Sequence, residues 1–368
     1  MPATPPNRLG LTASGLLALC RAGFEKEVAA ELDDFAASIG LMGFVRTRPG
    51  SAFATFETHE PVAFADLAER CDWRTLIFAR QLLPWFARVD DLPERDRATP
   101  IAAATRNAGQ RFAQLMLETP DTDEAKQQSG FCRRFAVPLQ HELERIGAFR
   151  EGAKGLPELH ILFPDTSTAW LCAALPGQAA LWPMGIPRLR MLREAASRST
   201  LKLAEAIFTL LTEAERSASL RAGLRAVDLG AAPGGWTWQL AHRGLRVTAV
   251  DNGPMAPSVM ATEMVEHVRA DGFTWRPPRP VEWMVCDMVE QPARIAALVA
   301  DWIATGRCRR TIFNLKLPMK KRIEAVEQCR ALITKRLAQA GPFELRFKHL
   351  YHDREEITGY LALRAAAV

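Results

Sequence analysis

The chain has 368 residues, more than a single domain commonly holds, and its 48% apolar and 24% charged residues are those of a folded globular chain, not a disordered or fibrous one. Its net charge of +5 is mild, and no apolar run approaches the ~20 residues that a bilayer span needs. The seven cysteines are scattered and never form a Cys-x-x-Cys pair, which argues against both a disulfide framework and a zinc site.

Residues 1–15 lack a charged-then-apolar leader and read as a flexible tail of a cytoplasmic protein with reduced, mostly buried thiols. From residue 16, "LLALC" predicts a strand, "FEKEVAAELDDFAASIG" a helix stopped by Gly40, and "FVRT" and "AFATFE" a hairpin across "RPG". "PVAFADLAERC" returns to helical spacing, and "LIFARQLLPWFARV" predicts a closing strand, which makes residues 16–97 a small α+β unit. The pattern partly repeats over 98–175. "RFAQLMLET" reads as a strand, "DTDEAKQQSGFCRRFAVPLQHELERIG" as helix broken near Pro138, and "ELHILFPD" and "TAWLCAA" as two more strands. Residues 176–197, rich in proline and without periodicity, read as a linker.

Over 198–368 the grammar becomes strict alternation. The helix "TLKLAEAIFTLLTEA" precedes the strands "RAVDLG", "RVTAVD", "WMVCD" and "RTIFNLKL", which alternate with helical "TWQLAHRG", "PARIAALVADWIATG" and "KKRIEAVEQCRALITKRLAQAG". The strands "FELRFKHL" and "ITGYLALRA" close the chain. Such alternation predicts an α/β domain with a mostly parallel sheet, helices on both faces, and a ligand at the carboxyl ends of the strands.

The residues at those ends carry chemistry. "DLGAAPGGW" puts Gly230, Gly234 and Gly235 between a strand and a helix, but not in the G-x-G-x-x-G spacing of a dinucleotide site. Pro233 stiffens the turn, which suits a ligand without phosphates. Asp251 ends the next strand, where a carboxylate can accept from a ribose diol, and Asp271 follows strand-like "EHVRA", where it can accept an adenine amino group. An adenosine ligand is expected. Lys202, Asp287, Lys316 and Glu356 lie on the same rim. A lysine at the buried end of a central strand is costly unless it works, and desolvation beside a second ammonium would favour the neutral amine that a general base needs. The basic groups "FCRRF", "PRLRMLR" and "KLPMKKR" point to a polyanionic partner.

"VDLGAAPGGW", "SRSTLKL", "CDM", "NLKLPMKK" and "DREEIT" resemble the FtsJ-type ribose 2′-O-methyltransferases, which carry a Lys-Asp-Lys-Glu tetrad on a Rossmann-like fold. With "RAGFEKE", "LIFARQ", "FCRRF", "PMGIPRL", "VDNGPM" and "LYHDREE", the chain resembles one bacterial family nearly end to end: the THUMP-containing 23S rRNA ribose 2′-O-methyltransferases, or RlmM family. The resemblance implies a ferredoxin-like unit and a THUMP RNA-binding unit ahead of a Rossmann-like domain. It also implies S-adenosyl-L-methionine as cofactor without a metal, and a cytidine of the peptidyl-transferase region of 23S rRNA as substrate. A monomer without membrane or obligate protein partner is expected.

Carried over by residue, Lys316 matches the general base, and Lys202 and Asp287 match its supporting members. Ser199, Ala232, Pro233, Gly234, Gly235, Asp251, Asp271 and Asp287 match cofactor contacts. "HDREEIT" offers His352, Glu355 and Glu356 as the fourth tetrad member, and Glu356 aligns best. Three rivals, a base methyltransferase of either kind, a dehydrogenase and an inactive fold, fare worse. An amino-group methyltransferase needs an Asn/Asp-Pro-Pro-aromatic run where "CDMVEQP" stands, and a carbon-5 enzyme needs a nucleophile that Cys286, inside its strand, does not offer. A nicotinamide dehydrogenase lacks its glycine spacing, and an inactive RNA-binding fold would have no reason to keep both lysines and the carboxylates.

Overall fold

A computed structural model describes residues 10–364, which divide between Pro187 and Arg188 into two compact units. The front unit begins with β1 (Thr12–Leu19), α1 (Glu25–Ser38), β2 (Gly43–Thr47), β3 (Phe53–Ala63), α2 (Phe64–Ala68) and β4 (Gln81–Val89). It continues with α3 (Ala98–Asn107), β5 (Gln114–Glu118), α4 (Asp123–Arg145), β6 (Glu158–Leu162) and β7 (Ala169–Ala174). These strands make one seven-stranded sheet in the order β2-β3-β1-β4-β7-β6-β5. The expected units 16–97 and 98–175 therefore share a sheet, joined where β4 pairs antiparallel with β7.

Several local expectations differ from what the structure holds. The first strand starts at Thr12, inside the expected tail, because β1 pairs with the far end of β3 through Thr12 and Ala63; residues 1–9 of that tail lie outside the described residues. The same pairing keeps Pro61 and Val62 in a strand, where helical spacing had been read. Residues 77–79 stay out of the sheet because their N–H groups donate to the Glu31 carboxylate. Pro138 does not break α4: proline removes one donor, and the buried stripe of Cys132, Leu139 and Leu143 holds the helix through it. The alanine-rich α3 had no expectation at all. The linker is in part packed, since the Ala180 N–H donates to the Gln81 side chain at 3.1 Å and Ala179 and Ile186 are buried.

The second unit comprises α5 (Ser199–Leu210), α6 (Glu213–Ser219), β8 (Arg225–Leu229), α7 (Gly235–Ala241), β9 (Arg246–Val250), α8 (Pro257–Met260) and β10 (Val265–Val268). Then come β11 (Val281–Cys286), α9 (Pro292–Ala304), β12 (Cys308–Lys316), α10 (Arg322–Leu337), β13 (Phe343–Lys348) and β14 (Glu356–Leu363). A capping box of Thr212 and Glu215 starts α6 and splits the expected single helix in two. The sheet runs β10-β9-β8-β11-β12-β14-β13; β10 to β12 are parallel, while β14 is antiparallel to both neighbours. This is a Rossmann-like fold. From β8 the chain winds outward to β10 and returns to β11 on the other side, so the crevice between the carboxyl ends of β8 and β11 is the topological switch point. Apolar residues of α5, α7 and the strands, among them Leu203, Ile207, Trp236, Trp283 and Tyr360, form one core behind it. Among the described residues no helix is long and apolar enough to cross a membrane.

Candidate active site

The turn after β8 is shaped by what packs on it. Gly230 and Gly234 have φ of 75° and 112°, in the left-handed region that favours glycine. A Cβ on Gly235 would stand 2.0 Å from Ser199 Oγ, so the start of α7 and the start of α5 touch only because that residue is glycine. Ser199 Oγ also lies 2.7 Å from Ser197 Oγ, and Thr200 Oγ1 donates to the Gly235 carbonyl at 3.0 Å. The Ala232–Pro233 peptide is cis. Asp251 ties the turn to its own loop by accepting from the Ala232 N–H at 3.0 Å and the Gly253 N–H at 2.7 Å. Asp271 is exposed and accepts from the Phe273 N–H. A cleft of about 390 Å³ is lined by Gly230, Ala232, Asp251, Asp271, Asp287 and Met288, so all three strand-end aspartates face one space.

Beside it stands a charged cluster. Lys202, one turn into α5, donates to Glu356 Oε1 and lies 3.9 Å from Asp287 Oδ1. Burial works against the Lys202 ammonium, but Asp287, Glu356 and Asp353 together raise its pKa above the ordinary lysine value. Burial pushes the Asp287 carboxyl up, opposed by Lys202 and by Asn314. Of the three candidates in "HDREEIT", Glu356 reaches Lys202, Glu355 pairs outward with Arg322 at 2.8 Å, and His352 Nδ1 sits 2.6 Å from buried Glu205.

Lys316 corrects one expectation. It ends β12 opposite Glu356 in the antiparallel register, as the rim position requires, but its side chain is exposed and not buried. The reason is topological: residues 311–315 run between the helix layers, and Lys316 is the first residue to emerge at the carboxyl edge.

The front unit matches the RlmM ferredoxin-like domain over residues 13–83 and the ribosomal RNA large subunit methyltransferase M N-terminal family over 96–175; the second unit matches the FtsJ-like methyltransferase family over 195–338. Over 368 residues the chain is 97% identical to the ribosomal RNA large subunit methyltransferase M of Aromatoleum aromaticum, with both chains fully covered. It is 70% identical to the protein of that name from Azoarcus sp. and 68% to that from Thauera aminoaromatica, each over 96% of this chain and 97% of the relative. The chain belongs to the ribosomal RNA large subunit methyltransferase M family. It has the S-adenosylmethionine-dependent methyltransferase fold of that family.

Within this family fold, side chains that the motifs did not single out hold the cluster in place. Asn314 donates to Asp287 Oδ1 at 2.6 Å and accepts from Thr358 Oγ1 at 2.8 Å, and Thr358 in turn lies 3.0 Å from Asp353 Oδ2. Asn314 and Thr358 were legible only as members of "TIFNLK" and "REEIT"; nothing local marks them as partners across 44 residues. Cys286 is fully buried, and burial pushes its thiol up to about 12, which leaves no thiolate for carbon-5 chemistry.

Asp228 is the other unanticipated residue. It is buried in β8 and accepts from Thr237 Oγ1 at 2.6 Å. Burial pushes its carboxyl up to about 7, with Thr237 opposing the rise and Asp287 and Asp251 adding to it. Because the folded state holds this proton more tightly than an unfolded aspartate (pKa ~3.9), the associated stability is full below about pH 4 and is lost as pH rises to about 7. Relative to Asp228→Asn, the cofactor-free wild type is therefore expected to lose on the order of a few kcal/mol between pH 4 and 8. Melting curves of both proteins across that range check it; parallel pH profiles would show that Asp228 stays charged.

Proposed function

We propose that this protein transfers a methyl group from S-adenosylmethionine to a ribose 2′-hydroxyl of a cytidine in the peptidyl-transferase region of 23S rRNA, with Lys316 as general base. The convergence of Lys202, Asp287 and Glu356 beside the strand end that carries Lys316, next to the glycine turn, supports this activity above all. No metal is invoked.

The cleft suits the cofactor. Its Asp251 keeps lone pairs for a ribose diol after accepting two backbone N–H groups, Asp271 can take an adenine amino group, and Gly230 and Ala232 offer a close, uncharged backbone approach, with Pro233, Gly234, Gly235 and Ser199 shaping the turn outside the cleft's lining. When bound, S-adenosylmethionine supplies an electrophilic methyl on a sulfonium, so no charge need be created at the leaving group.

The chain's own part is to orient and deprotonate the hydroxyl. Lys202, kept charged by Asp287 and Glu356, donates a hydrogen bond to the 2′-oxygen. Lys316 in its neutral form takes the hydroxyl proton as the oxygen forms its bond to the methyl. The docked nucleotide covers the exposed lysine and excludes water from the proton transfer. Positioning of the two reactants supplies the largest share of rate, ~7–11 kcal/mol in favourable cases. The front unit, read as ferredoxin-like and THUMP units, grips the RNA.

Mapping ribose methylation across 23S rRNA from cells with and without the gene tests the activity and its site together. A base-methylated nucleoside, or no change in any ribose, would overturn it. Within the same site, Asn314→Ala removes the side-chain donor that holds Asp287 Oδ1 and breaks its link to Thr358, whose hydroxyl keeps Asp353 as an acceptor. The expected result is a tenfold or greater drop in the single-turnover methylation rate. An unchanged rate would mean that Asp287 needs no such support.

A further inference from the structure

The amino ends of β8, β9, β11 and β12 meet at the edge of the catalytic sheet opposite the carboxyl-end rim, because these strands are parallel. Arginines crowd that edge. Arg221 lies in the turn before β8, Arg225 and Arg246 are the first residues of β8 and β9, Arg279 precedes β11, Arg307 precedes β12, and Arg309 and Arg310 lie at the amino end of β12. A concavity of about 740 Å³ is lined by Arg221, Arg225, Arg246 and Arg309 against a single acid, Glu282. That acid is already engaged by Arg310 and, at 3.8 Å, by Arg309. An adjoining cleft of about 800 Å³ shares Arg225 and Arg246 and adds Arg279, facing Glu263 and Glu266. Five arginines thus line the two concavities against three glutamates, in a chain whose whole net charge is +5. Arg221, Arg246, Arg279 and Arg309 are all exposed.

We propose that this edge is a second RNA-docking surface, which binds the phosphate backbone of a segment of the rRNA substrate away from the target ribose. The occupant follows from the chemistry. Like charges gathered in a concavity repel one another until an anion enters, and guanidinium forks match phosphate oxygens bidentately. The positive charge comes from β8, β9 and β12 and the turns that lead into the sheet, spread along an edge as a polyanion would meet it. The segment must be distinct from the one at the active site, since β8 alone, five residues at ~3.3 Å each, separates the two edges by about 16 Å. The inference rests on the reading of rRNA as substrate, but not on the chemistry assigned to Lys316.

The test uses the full chain carrying Arg221→Gln, Arg246→Gln, Arg279→Gln and Arg309→Gln together, and a matching quadruple Arg→Lys variant. Fluorescence anisotropy with a structured 23S rRNA fragment is read at several KCl concentrations, beside single-turnover methylation of the same RNA. The glutamine variant is expected to bind at least tenfold more weakly near 150 mM salt, with the slope of log Kd against log salt reduced by about 2 to 4. Its methylation rate at saturating RNA and its S-adenosylmethionine affinity stay within twofold of wild type. The lysine variant keeps most of the salt slope. A short oligonucleotide spanning only the target nucleotide should bind wild type and glutamine variant alike. Unchanged affinity and slope for the long RNA in the glutamine variant, or an equal loss for the short one, would overturn the surface. Salt-dependent binding by a wild type that transfers no methyl would sink the proposed activity while leaving this surface standing. Failure of the wild type to bind rRNA would remove both. The four side chains are exposed, and a melting temperature close to wild type confirms that folding is intact.

Discussion

Lys316→Ala is expected to lower methyl transfer by about 10³-fold or more, within the range that general-base catalysis contributes, and to leave S-adenosylmethionine affinity within a few-fold. The residue stands at the end of β12 beside Glu356 and does not line the cleft bounded by Asp251 and Asp271, so cofactor binding has no reason to change. Lys316→Arg separates two roles. Arginine keeps the positive charge and can still position a hydroxyl, but it does not give up its proton in a protein and so cannot act as a base. It is expected to fail nearly as completely as alanine. The wild-type rate should rise with pH until the base is fully neutral, whereas any residual rate of the alanine variant should lose that dependence. Single-turnover methylation by the three proteins across pH decides the matter. Near-normal turnover by the arginine variant would reduce Lys316 to an electrostatic guide, with the base to be sought elsewhere.

Gly234→Arg is expected to abolish S-adenosylmethionine binding, with a loss of at least about 100-fold. Two effects combine. At φ of 112° any side chain is strained, a penalty of about 1–3 kcal/mol. A Cβ there would also stand 2.8 Å from Val259 Cγ2 and 3.0 Å from Met255 Cε, which pushes α8 away from the turn. Titration calorimetry with the cofactor and with its demethylated product measures the loss. Retention of wild-type affinity would place the ligand elsewhere than at this turn. Because Lys316→Ala should bind normally in the same assay, the two variants separate a damaged binding site from a missing base.

The residues that could be read in advance are those whose meaning is local. Alternating strand and helix periods over 198–368 specify a wound sheet, and a wound sheet puts every strand's carboxyl end on one rim. Gly230, Gly234 and Gly235 announce a close backbone approach because only glycine tolerates it. The positions of Asp251, Asp271, Asp287 and Lys316 followed from counting to the ends of strands, and the motifs were enough to name the family.

What only the tertiary structure decided depends on contacts between distant segments. Lys202 meets Glu356 across 154 residues because β14 inserts between β12 and β13, an order that no local pattern encodes. The same insertion brings Glu356 to Lys202, while the side chains of Glu355 and His352 are drawn to Arg322 and Glu205. Exposure of Lys316 depends on where the helix layers end, not on its strand, and the bracing of Asp287 by Asn314 depends on the register between β12 and β14. The front half shows the same division. Its strands were legible one by one, but their union in a single sheet comes from the pairing of β4 with β7, whose register is set by long-range burial and not by propensity.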